Sequence, residues 1–247
     1  MALHSSGLSG RQWRRLASAL VDRGFRAVVP DLVGHGKSPD WPEPEPFSFQ
    51  VDVEHVVALL ESLGEPAHLV GHSYGAFVAL LAARAAPTRV RSLVLFEPVA
   101  FGLLDRVEDA DAARELESVG STWDASPEGR ERWLRSFVDY WSGPGAWAAL
   151  REDARAEFRR VAWVVYRAVV ALVSDTTPAS AYRALGAPVL LMTGEQSTLA
   201  AHAVIRRLRE ALSDAHVVTI PGAGHMGPLT HADVVNEAVL GWVAAHP

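Results

Sequence analysis

Short β-branched runs alternate with longer segments of helical periodicity along most of this chain. That rhythm constrains its fold more than any other feature. Arg26-Ala27-Val28-Val29-Pro30 reads as a buried strand, and His68-Leu69-Val70, Ser92–Phe96, Pro188–Met192 and His216–Ile220 read as further strands. Between them, Arg11–Arg23, Gln50–Leu63, Ala76–Ala86, Ala200–Leu212 and Asp233–Ala245 carry apolar residues at helical spacing. Such alternation requires right-handed βαβ crossovers and a mostly parallel, doubly wound sheet with helices on both faces. The rhythm stops after Pro98. Residues 99–177 show only helical patterns, around Ala110–Val119, Glu128–Trp141 and Ala146–Val173. The expected architecture is therefore an α/β core of residues 1–98 and 178–247 with residues 99–177 as a helical insertion.

Composition removes several functional classes. The 247 residues are 49% hydrophobic and 21% charged, which suits a full-sized core and not a disordered chain. No apolar run approaches the roughly 18 residues of a membrane span, so no membrane role is expected. A net charge of −6 argues against nucleic acid as a partner. With no cysteine there is no disulfide, no thiol nucleophile and no thiolate metal site. Met1-Ala2-Leu3-His4 has no basic-then-apolar signal pattern, so the expected address is cytoplasmic.

Two residues stand out chemically. Gly71-His72-Ser73-Tyr74-Gly75 follows a strand and opens a helix, the context in which G-x-S-x-G forms a tight turn with an exposed serine. Ser73 would sit at the carboxyl end of the sheet and at a helix N-terminus, where a developing anion is favoured. A serine nucleophile needs a general base. Among ten histidines, His225 is singled out by Gly222-Ala223-Gly224-His225-Met226, a glycine-rich loop after the last strand. His231 reads as a helix cap, and His55 and His202 as solvated helix residues. His72 points away from any site that Ser73 faces.

These residues resemble the α/β-hydrolase superfamily of serine hydrolases. Leu3-His4-Ser5-Ser6-Gly7 is similar to its oxyanion loop, with Ser5 replacing the usual glycine. Pro30–Ser38 is similar to its D-x-x-G-x-G-x-S loop, and Pro221–His225 to its catalytic-histidine loop. The resemblance implies oxyanion donors at the backbone N–H groups of Tyr74 and Ser6, and needs no metal or organic cofactor. It implies an acid after the strand Pro188–Thr193, but Ser197 occupies the place where the Asp is usually found. Glu97, at the end of the neighbouring strand, is the expected substitute. Glu195, earlier in the same loop and expected to bond loop backbone, is the rival acid; Asp31 is a lesser one that more simply orders its own turn.

The insertion falls where many members carry a substrate-covering cap. It holds five of the eight tryptophans, which suggests a small, largely apolar substrate. The expected activity is hydrolysis of a carboxylic ester by Ser73, His225 and Glu97. Lactone, thioester or C–C bond hydrolysis would use the same residues, and a ligand-binding protein on the same fold is the non-enzymatic alternative. The resemblance also implies a β-hairpin ahead of the oxyanion loop. Only Met1–Leu3 precede that loop here, so the strand leading to Ser6 is expected to be poorly anchored.

Overall fold

The computed structural model of the protein describes residues 1–120 and 123–247. Five strands, β1 (Ala2–Leu3), β2 (Ala67–His72), β3 (Val90–Phe96), β4 (Val189–Gly194) and β5 (Ala215–Ile220), form one parallel sheet in that order. Between β1 and β2 run α1 (Arg14–Val21) and α2 (Phe49–Ser62), and α3 (Tyr74–Ala85) joins β2 to β3. Between β3 and β4 lie α4 (Ala110–Gly120), α5 (Pro127–Ser142), α6 (Ala146–Ala149) and α7 (Glu152–Val173). Then come α8 (Leu199–Ala211) before β5, and α9 (Gly227–Thr230) and α10 (Ala232–Ala245) after it.

Side-chain alternation along the strands divides the interior in two. Leu69, Leu93, Leu95, Val189 and Leu191 face one way, into a core shared with α2, α3 and α8. Val70, Val94, Phe96, Leu190 and Met192 face the other way, against Trp13, Leu16 and the Val235, Val239 and Val243 stripe of α10. Burial on both faces is what allows strands this uniformly apolar. Helices α5 and α7 contribute Trp133, Leu134, Phe137, Val161, Val164 and Val165 to the first of these cores. Among the described residues, no helix is long and apolar enough to cross a membrane.

Three elements differ from expectation for identifiable reasons. Arg26–Pro30 forms no ladder; it lies beside β1, joined by one bond from Ala2 N to Val28 O (2.9 Å). The helical pattern Ala146–Val173 is broken at Leu150 and Arg151, both extended. Glu152 and Asp153 then fill the first turn of α7, an acidic start that complements a helix N-terminus. Strand β1 is short but well held. Besides the Val28 contact, Val70 N donates to Met1 O (2.9 Å), the Met1 amine donates to His68 O (2.7 Å), and both strand residues are buried.

Helix α3 is buried on nearly every side and its first turn lies directly on β1. A Cβ at Gly75 would collide with the carbonyl oxygens of Leu3 and His4, and one at Gly71 with the backbone of Ala76. Backbone cannot yield as a flexible side chain does. Gly75→Ala is therefore expected to destabilise the fold by about 3 kcal/mol; a urea melt matching the parent would show that β1 and α3 can part freely.

Candidate active site

The residues singled out by sequence all follow strand ends on one side of the sheet. Ser6 comes after β1, Ser73 after β2, Glu97 after β3 and His225 after β5. Ser73 has φ 55° and ψ −118°, and Glu97 has φ 46°; they are the non-glycine residues with positive φ among those described. Such backbone strain persists only where surrounding contacts enforce it. Here Ser73 N donates to Phe96 O (2.9 Å) and Glu97 N to Met192 O (3.0 Å), which ties both turns to the neighbouring strand.

Glu97 and His225 meet in the interior. His225 Nδ1 lies 2.6 Å from Glu97 Oε2, and the residues are 3% and 1% exposed. The other carboxylate oxygen, Oε1, accepts from Thr193 Oγ1 (2.9 Å), Gly194 N (2.7 Å) and Ser197 Oγ. Burial alone would raise this carboxyl's pKa. The bond to His225 and its charge, with the Ser197 and Gly194 donors, outweigh that and hold it down at about 2. An ionised Glu97 can only accept, so His225 carries its proton on Nδ1. The bare Nε2 has no partner among the described residues, and neither has Ser73 Oγ. Ser197 thus stands where the resemblance implies an acid and serves as a donor to Glu97. Glu195 points elsewhere: its Oε2 accepts from Gly222 N (2.8 Å). Asp31 orders its own loop, accepting from Gly10 N (2.7 Å) and Lys37 N (2.8 Å).

The loop at Ser6 is fixed by histidines whose importance the sequence did not reveal. His4 Nε2 accepts from Leu32 N (2.9 Å) while His35 Nε2 accepts from Gly7 N (3.1 Å). Each ring's Nδ1–H then donates to a backbone oxygen, that of Ser5 (2.8 Å) and Val33 (2.9 Å) respectively. Two loops are thereby pinned to each other in both directions. Ser5 N donates to Gln12 Oε1 (3.0 Å). With the Ser5 and Gly7 amides committed, Ser6 N is left without a partner among the described residues. Tyr74 is anchored by its phenol, which donates to buried Asp52 Oδ2 (2.7 Å); Asp52 Oδ1 accepts from Val33 N (2.9 Å).

Aromatic rings enclose the His225 imidazole. Trp141 of α5 lies 4.0 Å from it, centroid to centroid, and His72 lies 5.0 Å away. The cavity that reaches Ser73 and Ser6 is otherwise lined only by apolar side chains, among them Phe101, Leu116, Phe137, Trp141 and Val169. Its free space is about 20 Å³, room for a water-sized group. A larger cavity of about 310 Å³ lies at the opposite end of the sheet, near Met1 and His68, and contains none of these residues. Among the described residues, no group of three or more histidines or acids stands where it could hold a metal ion.

Burial keeps His35 and His72 neutral. Both are pushed down to about 3, by burial first and then by neighbouring imidazoles. Below the ordinary value of 6.5 the unfolded chain takes up protons that the fold refuses, so stability falls as pH drops from 6.5 toward 3. Between about pH 7 and pH 4.5, Tm is expected to fall by on the order of 10 °C; calorimetry showing a flat Tm would mean these rings protonate without breaking their bonds.

Comparison with known proteins adds a family likeness to this geometry. A family model described as the alpha/beta hydrolase family matches residues 2–238. BpoC of Mycobacterium tuberculosis, which carries the name of a non-heme bromoperoxidase, is 29% identical over 252 residues, covering 97% of this chain and 91% of that protein. Its crystal structure superposes with a TM-score of 0.71 over the whole of this chain and 92% of that one. A 2-(acetamidomethylene)succinate hydrolase of Mesorhizobium japonicum is 29% identical over 92% of this chain and 81% of its own length. The fold is also similar to that of a thermophilic esterase from Thermogutta terrifontis, with a TM-score of 0.73 at 22% identity over 100% of this chain and 89% of that one.

Proposed function

The chain belongs to the alpha/beta hydrolase family, and from that premise we propose that it is a serine hydrolase cleaving a carboxylic ester of a small, largely apolar substrate. The observation that carries this reading is the His225 imidazole, tied at Nδ1 to an ionised buried carboxylate and left bare at Nε2. His225 Nε2 takes the proton of Ser73 Oγ as that oxygen attacks the ester carbonyl. The Tyr74 and Ser6 N–H groups receive the oxyanion, and Glu97 stays ionised beside the imidazolium. His225 then gives its proton to the leaving alcohol. Water, activated by the same nitrogen, releases the acid from Ser73. Donors preset for the oxyanion are worth about 3–4 kcal/mol each in comparable sites.

The uncharged lining of the cavity over Ser73 supports an apolar group on the substrate. Helices α4–α7 act in this reading as a cap, and their side chains must shift for a substrate to enter. Lactone, thioester and C–C hydrolysis would employ the same atoms; a panel of p-nitrophenyl esters, lactones, thioesters and diketones separates them. A fluorophosphonate probe should label the parent on Ser73 and leave Ser73→Ala unlabelled. Failure to label folded parent protein would sink the catalytic reading in favour of ligand binding. Glu97→Gln should lower kcat by about three orders of magnitude, because the substituted amide no longer stabilises the imidazolium or fixes its tautomer; activity within about threefold of the parent would remove Glu97 from the mechanism.

A further inference from the structure

A chain of three hydrogen bonds joins the Ser6 loop to the His225 loop. Ser5 N–H donates to Gln12 Oε1 (3.0 Å), Gln12 Nε2 pairs with His72 Nδ1 (3.0 Å), and His72 Nε2 pairs with His225 O (2.8 Å). The ends of this chain fix its direction. A peptide N–H can only donate, so the Gln12 oxygen must face Ser5 and its NH₂ must face His72. That NH₂ can only donate, so His72 Nδ1 is bare. A neutral ring then carries its proton on Nε2, where a carbonyl that can only accept is waiting. Every donor meets an acceptor, and no other assignment of the amide and the ring satisfies all three contacts. His72 is fully buried, edge-on to Phe96.

We propose that Gln12 and His72 are positioning residues that hold the Ser5–Ser6 peptide and the His225 backbone in fixed relation, so that the oxyanion donor and the general base are set together. Ser5 N is the amide next to the proposed donor, Ser6 N. With Ser5 anchored on one side and Gly7 through His35 on the other, Ser6 N is the uncommitted amide between them, in a residue that lines the same cavity as Ser73. At the far end, the same chain grips the peptide of the residue whose ring performs the proton transfer. Neither residue touches the reacting atoms. Both act through others, across a sequence separation that no local motif spans. This proposal rests on the serine hydrolase reading for its catalytic consequence, but its hydrogen-bond geometry stands apart from it.

The first arm of the test is ¹⁵N NMR of histidine-labelled parent protein. His72 is expected to be protonated at Nε2 and bare at Nδ1, unchanged between about pH 8 and pH 5. Protonation at Nδ1, or titration within that range, overturns the proposal without any substitution. The second arm is Gln12→Met, which keeps the side chain's length and removes both of its polar atoms. With p-nitrophenyl acetate, kcat should fall about 10- to 100-fold while KM stays within about threefold, the signature of misplacement and not of lost binding. Affinity for a trifluoromethyl ketone, whose serine adduct carries the oxyanion, should fall in step with kcat. A folded Gln12→Met protein that matches the parent in both overturns the proposal; if it does not fold, the NMR arm decides. A parent that neither labels with fluorophosphonate nor hydrolyses any ester defeats the hydrolase reading instead, and leaves the His72 tautomer as a separate result.

Discussion

A carboxylate withdrawn from water must be matched by donors, and Glu97 is where this protein meets that demand. Four donors from three different segments converge on its two oxygens: the His225 ring, Thr193 and Gly194 at the end of β4, and Ser197 beyond it. An unmatched charge at this depth would cost several kcal/mol. The matching cannot be local, because β3, β4 and β5 must lie in register for it to occur. Parallel pairing supplies that register, setting Phe96 beside Met192 and Gly194 beside Ile220. The site is thus an outcome of the sheet, and the positive φ of Glu97 is the local cost of aiming its side chain across to the histidine loop.

The sequence made the framework legible because periodicity reports burial. Strands buried on both faces and amphipathic helices leave patterns that survive without tertiary information, and Ser73 and His225 stand in glycine-marked turns that are themselves local. Glu97 carries a different mark: Ser197 stands where the resemblance places an acid, and Glu97 closes the neighbouring strand. The segment Arg26–Pro30 looked like a strand because its composition is that of one, but a ladder needs a partner of matching length and β1 is two residues long. The break between α6 and α7 was marked by Glu152 and Asp153, a signal outweighed by the apolar run around it.

Gln12, His35, Asp52 and Thr193 were not legible as site residues. Gln12, His35 and Asp52 each accept from a backbone N–H outside their own turn, and backbone groups look alike in every sequence; Thr193 donates to the Glu97 carboxylate from another strand. Nothing in its own neighbourhood separates Gln12 from a solvated residue of an amphipathic turn. Three buried histidines, His4, His35 and His72, are used here as neutral two-ended connectors, each joining a donor to an acceptor at a separation no amide side chain could span with the same rigidity. That use resembles a backbone ladder more than an acid–base role.

Helices α5 and α7 share a single apolar interior with the sheet and α3. Lifting them away as a body would bring Trp133, Phe137, Val164 and the sheet's own leucines into water together, at about 25 cal/mol for every Å² exposed. Rotating one ring, such as Trp141, exposes far less. If Ser73 is the nucleophile proposed above, admission to it is a matter of which side chains can turn aside, one at a time, and the doorway measures its visitors by the rotamers available to it.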